Sequence, residues 1–197
     1  MINNFKSFFL FSCCVLVVIF TFTSCKDVTT PKPMGYYRIE FPEKEYDFFK
    51  QDSPFTSLIP VYSEMQEITD TTQNVRWYNW NMPKYDATIH LSFHYINQPL
   101  SVYLESTRDF VYQHMDKASS IETTEIIIDN NKVYGLVYNI NGSEAASPTQ
   151  FYLTDSTTRF LRGALYFSHK PNNDSIAPII EFINKDIMMF IRTLQWN

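Results

Sequence analysis

The chain has 197 residues, 45% of them hydrophobic, 17% aromatic and 19% charged, with a formal net charge of −5. That balance excludes a disordered chain, which needs low hydrophobicity and high charge, and its scattered basic residues leave no footprint for nucleic acid. Its four glycines, at 35, 135, 142 and 163, are too far apart to build a G-x-G-x-x-G turn or a Walker phosphate loop.

In chain order, Lys6 precedes an uncharged, largely apolar run from Phe8 to Phe22. A run of about 15 residues matches the apolar region of an export signal and falls short of the roughly 20 needed to span a bilayer. It ends in Phe22-Thr-Ser-Cys25, small residues before a cysteine, with Phe where Leu is usual. The competing readings are a plain export signal and an uncleaved anchor helix. The pattern favours a lipobox: signal peptide 1–24, cleavage before Cys25, and lipidation of its thiol with acyl chains such as palmitate. Cys13 and Cys14 would leave with the leader, so no disulfide, thiol nucleophile or cysteine metal site is expected. Without Lys6 the chain keeps 15 basic residues against 21 acidic ones, a net charge of −6. Anionic lipid would not attract such a surface. Anchoring therefore falls to the acyl chains, at about 0.8 kcal/mol per buried methylene.

Residues 25–35, with Pro31, Pro33 and Gly35, read as a lipidated tether, and 36–197 as one globular domain. Alternation over Tyr37–Phe41 predicts a strand ended by Pro42. Residues 46–74 are weakly patterned, with a second strand over Phe55–Val61 interrupted by Pro60. Arg76–Trp80 and Ala87–Tyr95 predict an antiparallel pair, the latter with Ile89, Leu91, Phe93 and Tyr95 on one face. A helix over 100–118 follows Pro99, its inward stripe being Leu100, Leu104, Thr107, Val111 and Met115. Ile126–Ile128 and Val133–Tyr138 flank the turn Asp129–Lys132, and Gln150–Thr154 and Arg159–Phe167 flank Asp155–Thr158. Ile176, Ile179, Ile180, Ile183, Ile187, Phe190, Ile191 and Leu194 trace one face of a closing helix. Asp174 or Ser175 is its expected cap, with Pro178 in its first turn. The fold class is α+β: an antiparallel sheet built from hairpins, packed against two main helices. The order of elements resembles the PsbP/Mog1-like sandwich.

Candidate chemistry is sparse. His90 and His94 lie four residues apart on a strand, roughly 13 Å along one face, too far to share a metal. His114 and Asp116 do not face each other on a helix, and His169 stands alone. Ser147 lies in the small-residue stretch Asn141-Gly-Ser-Glu-Ala-Ala-Ser147-Pro148, with no G-x-S-x-G pattern and no local His. That stretch reads as a plain connection or as a place where another backbone approaches closely. Asp155, Asp174 and Glu181 are available as a carboxylate pair, although turn and cap roles explain the first two. Tyr36, Tyr37, Trp77, Tyr78 and Trp80 read as a half-buried sheet face, a protein interface or a ligand groove.

Four segments resemble the gliding-motility lipoprotein GldD family of Bacteroidota: Pro31–Glu43, Trp77–Trp80, Val133–Ser156 and Lys170–Trp196. The resemblance implies an envelope lipoprotein required for gliding motility. It would be a non-catalytic component that assembles or stabilises the gliding and type IX secretion machinery, held by its acyl chains in the outer membrane and facing the periplasm. It implies no enzyme activity and no cofactor; the partners would be other gliding and secretion proteins. The candidate contact residues are Tyr36, Trp77, Trp80, Asn141, Gly142 and Ser147. A periplasmic ligand-binding module for a lipid, glycan or peptidoglycan fragment is the alternative.

Overall fold

The computed structural model describes residues 39–49, 52–68, 75–113 and 115–197. The expected signal peptide and tether, Cys25, Tyr36, Tyr37 and His114 lie outside these.

A seven-stranded antiparallel sheet organises the domain, in the spatial order β4-β5-β6-β10-β9-β8-β7. Its strands are β4 (Glu64–Ile68), β5 (Val75–Met82), β6 (Ala87–Tyr95), β7 (Ser120–Ile128), β8 (Val133–Asn141), β9 (Thr149–Thr154) and β10 (Arg159–Phe167). Helix α1 (Leu100–Tyr112) joins β6 to β7, and α2 (Asn173–Thr193) follows β10. The class is α+β, as expected. Three short strands, β1 (Tyr46–Phe48), β2 (Phe55–Thr56) and β3 (Leu58–Pro60), precede the sheet. β1 pairs with β3, and β2 pairs with a C-terminal β11 (Gln195–Trp196).

Alternation along the strands gives the sheet two different faces. Tyr78, Trp80 and Met82 of β5 stand in register with Leu91, Ile89 and Ala87 of β6. With Phe93, Leu161, Leu165, Phe151, Leu153 and Val137 they form one buried core, completed by Phe182, Ile183, Ile187, Phe190 and Ile191 of α2. Gly163 lies among them because a Cβ there would run into the Phe151 ring. The opposite face carries α1, whose Val111 packs with Ile140 and Ala145, flanked by Ala118, Ile121 and Tyr138.

Several expectations need correction. Ile39–Glu45 is not a strand: Phe41 stacks on Phe182 with ring centroids 4.3 Å apart, so its apolar side chain serves as an anchor outside any ladder. The strand expected over Phe55–Val61 splits at Ser57, whose hydroxyl donates to the Phe190 carbonyl at 2.6 Å. Helix α1 stops at Tyr112, and Met115 sits in a separate 3-10 turn with 55% of its surface exposed. Helix α2 begins at Asn173, so Asp174 and Ser175 lie inside it and Pro178 in its second turn. The start is earlier because the Asn173 side chain bonds to a neighbouring loop, as described below. His94 is half-buried under α1, its ring 5.7 Å from that of Tyr103, whereas His90 is exposed and bonds Asn79 Oδ1 at 2.7 Å.

A buried charge fastens the N-terminal segment to α2. Asp186 has no exposed surface and accepts from Lys44 Nζ at 2.6 Å, from the Tyr46 hydroxyl at 2.9 Å and from the Tyr62 hydroxyl. Lys44 also donates to the Tyr62 oxygen and the Phe182 carbonyl, both at 2.9 Å, and lies over the Phe182 ring at 3.2 Å. Burial pushes the Lys44 ammonium down from its ordinary value, against the pull of Asp186. Burial, and then Asp186, hold both tyrosine hydroxyls above theirs, so they remain donors.

At the β9–β10 turn, Asp155 accepts from the Thr158 hydroxyl at 2.5 Å and from the backbone N–H groups of Thr157, Thr158 and Arg159 at 2.7–2.9 Å. Burial alone would raise its pKa, but these donors hold it well below the usual carboxylate range.

Lys44→Met is expected to destabilise the domain by about 3–5 kcal/mol in urea unfolding, since it strands a buried carboxylate. Lys44→Met with Asp186→Asn should restore a measurable part of that loss. Asp155→Asn should cost about 2 kcal/mol at pH 7. A depressed folded-state pKa stabilises fully above the unfolded value of about 4, so the gap to wild type should hold down to about pH 4, narrow below it, and close only once the pH falls through the depressed folded-state value.

Candidate partner surface

The expected contact residues do not form one site. Tyr36 is outside the described residues. Trp80 faces α2 from β5 with 0% exposure, its indole Nε1 donating to Ser63 Oγ at 2.8 Å. Ser147 is also fully buried, its hydroxyl donating to the Thr149 carbonyl at 3.3 Å. Neither offers a surface to a partner. Trp77, on the opposite face of β5 from Trp80, is 36% exposed and stands between Ser92 and Ile68 in the ladder. Asn141 ends β8, four strand spacings from β5 and roughly 19 Å away across the sheet. Asn141 and Gly142 alone lie side by side at a surface.

The loop after β8 is held from three sides. Gly142 has φ +148°, a conformation side chains rarely adopt, and a Cβ there would run into the Lys117 carbonyl. Asn173, in the first turn of α2, donates its amide to the carbonyls of Gly142 (2.8 Å) and Ala145 (2.9 Å), while its backbone N–H reaches the Ser143 carbonyl at 3.0 Å. Asn141 donates across the ladder to Ser120 Oγ at 3.0 Å and Glu122 Oε1 at 3.1 Å. An exposed Lys117–Glu144 pair at 2.8 Å closes the outer side.

Three open grooves lie near this loop. On the α2 side, a groove of about 580 Å³ is lined by Asn139, Asn141, Gly142, Asn173, Asp174 and Asn184 among others. Farther along α2, a smaller one of about 240 Å³ shares Asn139 and Asn184 and adds Thr124, Val137 and Met188. On the α1 side, a groove of about 430 Å³ is lined by Arg108, Val111, Tyr112, Met115, Ile121 and Tyr138. Burial raises the Tyr138 hydroxyl there, against the Arg108 cation. Of the carboxylates considered for chemistry, Asp174 and Glu181 line the larger groove, and Asp155 is engaged in its own turn at the opposite end of β9.

Sequence reasoning missed Asn173 and Asn184, which attach the loop region to α2; Asn184 accepts from the Thr149 hydroxyl at 2.7 Å. Both belong to a helix whose apolar stripe draws attention to its other side. A carboxylate within that stripe was the available signal for the Asp186 cluster.

The family model described as gliding motility lipoprotein GldD matches residues 26–196. The chain belongs to this family. Membership makes it a lipid-anchored protein of the cell envelope with a role in gliding motility. No curated protein matches the chain. Among solved structures, the solution structure of cyanobacterial PsbP (CyanoP) from Synechocystis sp. PCC 6803 is similar at a TM-score of 0.44 and 9% identity, over 88% of this chain and 98% of that one.

Asn173→Ala removes two hydrogen bonds from the loop while leaving the groove open. It should cost about 1–3 kcal/mol in stability and speed amide hydrogen exchange over residues 142–147 relative to the sheet.

Proposed function

We propose that this family member acts by contact, without catalysis. It would be an assembly or stabilising component of the gliding and type IX secretion machinery, held by acyl chains on Cys25 in the outer membrane and facing the periplasm. The observation that carries the reading is the fixed rim at Asn141–Gly142. The loop is tied to α2 through Asn173, exposes Asn141 and Ala146, and overlooks an open groove. A rim that is already ordered loses little entropy on binding. Small residues there let a partner backbone approach closely.

The test is a deletion strain complemented with wild type, Cys25→Ala, Asn141→Arg or Ala146→Arg. The two arginine variants should accumulate at wild-type levels yet reduce gliding at least tenfold and lose co-purification with machinery components from detergent-solubilised envelopes. Normal gliding in the deletion strain would refute the role, and normal gliding with both arginine variants would refute contact at this rim. Normal gliding with Cys25→Ala would refute only the need for the anchor.

A further inference from the structure

Strand β7 ends the sheet on the side of the grooves, and among the described residues nothing pairs with its outer edge. It is nine residues long, whereas β4 at the other edge has five. A long open edge carries a row of unpaired N–H and C=O groups, a template for one more strand. Strand β7 contains no Pro and no Lys, and its charged side chains are the two glutamates Glu122 and Glu125.

Both flanks of this edge are built to receive side chains. Thr124 points to the α2 face, beside the groove with Val137 and Met188. Ile121 and Thr123 point to the α1 face, where Tyr112 and Met115 border the groove of about 430 Å³ with 51% and 55% exposure. An added strand would send its side chains alternately into these two grooves, giving register as well as affinity.

The charge on the edge selects the occupant. Glu122 and Glu125 are both exposed, three residues apart and hence on opposite faces, and neither is in an ion pair among the described residues. Pairing two copies of this strand would bring four carboxylates to one seam, which disfavours a homodimer. The tether, with Pro31 and Pro33, is a poor ladder partner.

Resting on the contact reading above, we infer that the β7 edge of this protein takes an extended segment of a partner protein by strand addition, a segment with apolar residues for the flanking grooves and two basic residues three positions apart for Glu122 and Glu125.

The test is hydrogen exchange by mass spectrometry on the full mature lipoprotein in detergent micelles. The probe is a nine-residue peptide of Val and Thr with two Lys three positions apart. Controls carry Glu for Lys, or the Lys peptide with alternate backbone amides methylated. The Lys peptide should slow exchange over residues 120–128 at least tenfold. The Glu peptide should bind at least tenfold more weakly, and methylation should abolish protection. Glu122→Lys with Glu125→Lys should reverse the preference between the charged peptides, and the Glu122→Gln, Glu125→Gln pair should erase it. Several results would overturn the inference: no protection at millimolar Lys peptide, protection confined elsewhere, equal binding of both charged peptides, or indifference to methylation. So would protection of 120–128 in the free protein, which would place its own segment on the edge, or protection that rises with protein concentration alone, which would place a second copy there. A peptide-negative result alongside gliding-defective arginine variants would leave the contact reading standing and remove only this edge.

Discussion

A carboxylate with no exposed surface, in the middle of the closing helix, sets the conditions for much of this fold. Among the described residues Asp186 has three donors, and all come from one short stretch, Lys44 to Tyr62. An ionised group in that position is tolerated only when its partners are in place. The N-terminal segment therefore has one way to lie on α2. With it come the Phe41–Phe182 stack and the bond from Ser57 to the Phe190 carbonyl. Hydrophobic burial of Phe182, Ile183, Ile187 and Phe190 supplies most of the attraction between α2 and the sheet, but it is not directional. The charge cluster specifies where along the helix the segment settles.

The same helix organises the candidate surface. Its first turn holds the loop through Asn173, and Asn184 reaches Thr149 at the start of β9. One rigid element thus connects the entry of the chain into the domain with the rim of the groove. Its polar residues do so from positions beside the apolar stripe.

The open grooves follow from dimensions. Seven strands at about 4.8 Å spacing make a sheet roughly 29 Å wide, whereas α1, with 13 residues, is only about 20 Å long and covers part of its face. The β7 side is left with Tyr112, Met115 and Ile121 along an uncovered margin. For a lipid-anchored member of a gliding-motility family, an ordered rim beside an uncovered sheet margin is the physical basis of the contact role proposed above.

Much of this architecture was legible in the residues. The 3-1-3-4 spacing of isoleucines and Phe190 marked α2 and alternation marked β6, because a local period reports which side of an element is buried; the turn stretches Asp129–Lys132 and Asp155–Thr158 marked the hairpins β7–β8 and β9–β10. The segments Pro31–Glu43, Trp77–Trp80, Val133–Ser156 and Lys170–Trp196 together were enough to suggest the family. Other features depended on contacts between residues far apart in the chain. Trp77 and Trp80 stand on opposite faces of β5, and only the register with β6 decides that Trp80 enters the core while Trp77 remains at the surface. Ser147 looked available in a small-residue loop until the fold buried it, and Asp186 gave no local hint of the lysine and tyrosines more than 120 residues earlier that neutralise it. The sequence alone determined the closing helix with its apolar side, the central strands of the sheet and the family, since those are written in neighbouring residues. The tertiary structure alone decided which aromatic is exposed, which edge is open and which charge is paired, since each depends on a partner brought close only by folding.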